Sequence, residues 1–85
     1  MSTELKTKFA RQLAARFSEE HRLGAAGRVN AVAFIEGREH TLDAILDAVE
    51  EQLGEECAST THLQCIAAQL HALADAYSAF CDITG

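Results

Sequence analysis

No proline interrupts the chain, and glycine, the other strong helix breaker, is confined to Gly24, Gly27, Gly37, Gly54 and the terminal Gly85. Between those points apolar residues recur at three- and four-residue steps, the period of a helix laid on a core. The four internal glycines therefore act as punctuation, and the expected fold is all-α: a small four-helix bundle with short connections. A chain of 85 residues has no room for a second core, so residues 1–85 are read as one helical domain.

The first segment, about residues 3–23, places Leu5, Phe9, Leu13 and Phe17 at successive i+4 steps, with Ala10 and Ala14 beside them. That is one apolar stripe, with Lys8, Arg11 and Arg22 on the opposite face and Gly24 expected as the residue that ends the helix. The second segment, about residues 28–36, is unusual. Val29, Ala31, Val32, Ala33, Phe34 and Ile35 spread nearly all the way round a helical wheel, and a helix apolar on every side is either buried or pressed against another chain. Its β-branched residues also permit a short strand, but no second strand candidate exists to pair with it, so helix is favoured.

The third segment, about residues 41–53, has Thr41 as the expected N-cap and Leu42, Ile45, Leu46, Val49 and Leu53 along one face. Asp43, Asp47, Glu50 and Glu51 line the other face, with Glu55 and Glu56 behind them. The fourth, about residues 61–81, opens on Thr61-His62-Leu63-Gln64, which fits a capping box, and repeats Leu63, Ile66, Leu70, Leu73, Tyr77 and Phe80 at helical steps.

Charge divides unevenly along the chain. Residues 1–28 carry six Lys or Arg against three Glu, whereas residues 29–85 carry one Arg against ten acids, within a net charge of −6. Three arrangements would account for this. The basic first helix could pack beside the acidic ones, within one chain or across a dimer, and screen their field. The acidic face of the third segment could instead dock a basic partner. The third, nucleic-acid binding through Lys8, Arg11, Arg22 and Arg28, is disfavoured: a recognition helix in the third segment would carry Asp43, Asp47, Glu50 and Glu51 toward phosphate.

Few residues are arranged for chemistry. Cys57, His62 and Cys65, with His40 or His71 as a fourth donor, form the best metal-ligand set, since zinc takes converging thiolate and imidazole groups. No Cys-x-x-Cys pair supports it, and no cofactor is expected. Gly24-Ala25-Ala26-Gly27 is too short for a phosphate-binding loop. The carboxylate pairs Glu19-Glu20, Glu50-Glu51 and Glu55-Glu56 are adjacent in sequence, so their members do not share a helical face. A catalytic role is not expected.

The remaining readings concern setting and company. Hydrophobic residues make up 48% of the chain, but sixteen of them are alanine against twenty Leu, Ile, Val and Phe, a light core that leans toward support from a second copy in a homodimer. Three cysteines, an odd number, suggest reduced thiols rather than a disulfide framework, and the opening residues lack the apolar run of a signal peptide. A cytoplasmic setting is expected, with no membrane association. The expected function is that of a non-catalytic protein-interaction module, a small inhibitor, adaptor or regulator of the kind phages direct at host systems. It would act through Val29, Val32, Phe34, Ile35, Asp43, Asp47, Glu50 and Glu51. The alternatives are a small zinc-binding regulatory domain using Cys57, His62 and Cys65, and a structural subunit of a larger assembly.

Overall fold

Each run of helical periodicity in the sequence forms a helix. The computed structural model describes residues 3–54 and 59–84. Among the described residues lie α1 (Thr3–His21), α2 (Gly24–Ile35), α3 (Leu42–Leu53) and α4 (Thr60–Thr84), with one 3-10 turn at Glu39–Thr41 and no strand. The apolar second segment is thus a helix, and it begins four residues earlier than its periodicity suggests.

The early start changes the role of two glycines. Gly24 does not end α1; it is the first residue of α2, with φ +73°. Arg22 takes the left-handed position instead, at φ 55°, and the Leu23 amide donates to the Ser18 carbonyl at 2.9 Å. This is a Schellman closure made without glycine. It places Leu23 where the motif expects an apolar contact, and Leu23 does pack against the core. Gly27 is not punctuation either. It is buried inside α2, and a methyl group there would overlap the Leu23 side chain. The end of α2 follows the ordinary pattern, with Gly37 at φ +109° and the Arg38 amide donating to the Ala33 carbonyl at 2.9 Å.

Two caps also differ from expectation. Thr41 has helical backbone angles (φ −82°, ψ −11°) and caps nothing. The preceding 3-10 turn takes the place of a capped start, and the buried Thr41 hydroxyl is satisfied by donating to the Arg38 carbonyl at 2.7 Å. At α4 the capping residue is Ser59, not Thr61: its Oγ accepts the His62 amide at 3.1 Å.

The core takes residues from every helix: Ala10, Ala14 and Phe17 from α1, Ala31, Phe34 and Ile35 from α2, Ile45 and Val49 from α3, and Ile66 and Leu70 from α4. α2 packs against all three other helices, which explains a sequence apolar on nearly every side. Alanine has a structural use here. Ala10, Ala14 and Ala31 are fully buried, and small side chains let helices approach closely.

α4 spans 25 residues, about 37 Å at 1.5 Å per residue, and is longer than the bundle it joins. The molecule is accordingly elongated, 45 × 22 × 20 Å, with a radius of gyration of 13.0 Å. The far end of α4 lies along the start of α1, where the Phe9 and Phe80 rings sit 4.5 Å apart. Near the other end of the same pair, the Gln69 amide joins both helices: its Oε1 accepts from His21 Nε2 at 3.0 Å and its Nε2 donates to Glu20 Oε2 at 3.1 Å. No helix among the described residues is long and apolar enough to cross a membrane.

Candidate functional site

All seven Lys and Arg residues fall within residues 1–38, on α1, α2 and the turns that follow them. The acids of the third segment fall on α3. Among the described residues α1 and α3 share at most a marginal contact, with α2 and α4 packed between them. Within one chain, therefore, the basic helix does not lie against α3, but it does pack against α4, which carries Asp75 and Asp82. The cations of α1 and the acids of α3 occupy different flanks of the bundle.

On the basic flank, the two-residue connection turns α2 back along α1, and the outer faces of the pair enclose an open groove of about 1110 Å³. One wall comes from α1, where Glu4, Lys8, Arg11 and Ala15 recur at helical steps; the other comes from Arg28, Val29, Val32 and Glu36 of α2 and its C-terminal cap, with Arg38 at one end. Four cations thus face two carboxylates in a molecule whose net charge is −6. Val29 is 66% exposed in this groove and Val32 is half-buried beside it.

On the acidic flank, α3 turns Ile45 and Val49 into the core and presents Asp43, Asp47 and Glu51 to solvent, with Glu50 half-buried. Asp47, Glu50, Glu51 and Gly54 border a shallow depression of about 330 Å³. Asp43, Asp47 and Glu51 thus share the solvent face of α3, while Glu55 and Glu56, read behind them in the sequence, lie outside the described residues.

The apolar members of the sequence-derived site separate. Phe34 and Ile35 are 3% and 2% exposed, sunk among the other helices, and cannot meet a partner. Val29 and Val32 remain at the surface. The groove cations Lys8, Arg11 and Arg28 belong to the basic stretch that the sequence reads either as a screen for the acidic helices or as a nucleic-acid contact. The spacing of Lys8 and Arg11 on α1 is readable, but their position across from Val29 depends on the α1–α2 turn.

The metal-ligand set is only partly described. His62 is half-buried and Cys65 exposed on the first turns of α4, and Cys57 lies outside the described residues. His40 is exposed in the 3-10 turn, and the His71 ring sits edge-on to Phe34 at 5.3 Å. Among the described residues no group of three or more His, Cys, Asp or Glu side chains is placed to hold a metal ion. Every buried side-chain nitrogen or oxygen among them has a hydrogen-bond partner, so no interior polar atom is left aimed at a ligand.

Among the described residues one titratable group is perturbed. Burial pushes the Tyr77 phenol above its ordinary 10.0, and its hydrogen bond to Cys81 and its electrostatic interactions with Cys81 and Glu36 push the same way. Tyr77 lies on α4 and is packed, partly buried, against the core, which supplies the desolvation. No protein-family model, curated protein or solved structure matches the chain.

Proposed function

We propose that this chain is a non-catalytic protein-interaction module, a small inhibitor, adaptor or regulator that works by binding a protein partner. The observation that supports this most is Val29: a β-branched apolar side chain, 66% exposed, set in the open α1–α2 groove and flanked by charge. An aliphatic floor with a charged rim is the composition of a protein-binding surface, where apolar contact gives affinity and charge gives orientation. The acidic face of α3 supplies a second surface, which would steer a basic partner on approach.

The test is affinity capture from the native host, followed by association kinetics with whatever protein is retained stoichiometrically. Reversal of the exposed acids, Asp47→Lys with Glu51→Lys, is expected to slow association several-fold at low salt and to flatten its salt dependence. An unchanged on-rate would remove the α3 face from the reading. Failure to retain any stoichiometric partner under native conditions would remove the reading itself.

A further inference from the structure

We propose that the α1–α2 groove is a docking site for an acidic amphipathic helix of another protein. The inference rests on the interaction-module reading and adds the chemistry of the partner. Three observations carry it. The groove is formed by two antiparallel helices, a geometry that accepts a third helix by ridges-into-grooves packing. Along α1 it runs from Thr3 to Ala15, about 18 Å at 1.5 Å per residue, room for roughly three turns of helix. Its floor and rim call for a particular pattern: Val29 and Val32 need apolar side chains at i, i+3 or i+4 steps, and Lys8, Arg11, Arg28 and Arg38 need carboxylates flanking them.

Other occupants fit less well. A second copy could offer its own acidic helix, but the apolar face of α3 is committed to its core at Ile45 and Val49. Docked in the groove, α3 would bring Asp43, Asp47 and Glu51 against Val29 and Val32 and leave those side chains without apolar cover. Nucleic acid would meet the same cations and the same Glu4 and Glu36 as an acidic helix, but its phosphates would leave Val29 and Val32 without apolar cover, and a valine floor offers them no donor. An acidic amphipathic helix satisfies floor and rim together.

The probe is a synthetic helical peptide of about four turns, with leucines along one face and glutamates on both flanks. It is titrated against the full chain, with chemical shifts mapped on the protein and binding followed by fluorescence anisotropy. Expected are shifts centred on Val29, Val32, Arg11 and Arg28, and affinity that falls as salt rises. Arg11→Glu with Arg28→Glu should weaken binding at least tenfold, as should Val29→Asp, whereas Asp47→Lys on the other flank should leave it unchanged. Arg11, Arg28 and Val29 are exposed, so these variants should keep the helicity of the parent, which circular dichroism checks. Equal binding of a peptide with lysines in place of the glutamates would overturn the proposal. So would shifts centred on α3, tighter binding of duplex DNA than of the peptide, or a groove already covered by self-association in sedimentation experiments. Host-protein capture that persists in the Arg11→Glu, Arg28→Glu variant leaves the interaction reading standing and removes the groove from it. Peptide binding with no host protein captured does the reverse.

Discussion

Replacing Gly27 with alanine sets helix propensity against packing. In a helix interior alanine is favoured over glycine by about 1 kcal/mol, so the α2 sequence alone argues that the change stabilises. The geometry of the α1–α2 corner argues the opposite. A methyl group at Gly27 would overlap the Leu23 Cβ and would also lie 3.2 Å from Leu23 Cδ1 and 3.3 Å from Cγ. A Cβ cannot swing aside by changing rotamer, so relief requires movement of the backbone that carries Leu23. That backbone is held between a left-handed Arg22 and a Gly24 at φ +73°, with the Leu23 amide bonded to Ser18. Forcing an extra methyl into such a site costs about 1–3 kcal/mol. Because the clash falls on a Cβ, the cost lies in the upper part of that range, about 2–3 kcal/mol; less the propensity gain of about 1 kcal/mol, the expected net effect is destabilisation by about 1–2 kcal/mol. For a domain of this size that corresponds to a melting temperature lower by roughly 4–16 °C. Thermal unfolding followed by circular dichroism measures it, with urea unfolding as the check that the transition stays two-state. A variant that melts higher than the parent would refute the reasoning. It would mean that the corner relaxes freely and that Gly27 is only a weak spot in α2.

The same corner yields a prediction of opposite sign. Arg22 is a non-glycine residue at φ 55°, so Arg22→Gly should relieve left-handed strain and raise stability by about 0.5–1 kcal/mol, read from the same unfolding curves; a loss of stability would contradict it. Tyr77 is the sole tyrosine in a chain without tryptophan, so its ionisation can be followed by absorbance near 295 nm without interference, and its midpoint should lie above 10.0. Because the folded value is raised, the associated stability is complete below about pH 10 and is lost as pH rises through the folded midpoint. Tyr77→Phe should abolish that alkaline loss, and a titration midpoint at or below 10.0 would argue against desolvation of this half-buried phenol.

How far the sequence reaches depends on the element. α3 was legible apart from its cap at Thr41 and its last residue, Leu53, which is exposed: its acids and its apolar residues lie on opposite faces, so periodicity alone assigns Ile45 and Val49 to the core and Asp43, Asp47 and Glu51 to solvent. α4 was legible in the same way apart from its cap, because Ser59, Thr60 and Thr61 are all plausible capping residues and local geometry chooses among them. α2 was legible only as a helix. Its start is not legible because Gly24 and Gly27 weigh against helix in any local reading, whereas the closure of α1 at Arg22 and Leu23 lets α2 begin at Gly24, with Gly27 buried against Leu23.

The absence of proline and the helical recurrence of apolar residues thus determined by themselves that the described residues form four α-helices, and the order of the charges determined that one end is basic and the rest acidic. What only the tertiary structure decided is which side of α2 meets water. A helix apolar all the way round has no preferred face, so periodicity cannot orient it; its neighbours must. Packing of α1, α3 and α4 around it takes Phe34 and Ile35 inward and leaves Val29 facing the groove cations. The candidate site exists because three helices cannot cover all sides of a fourth.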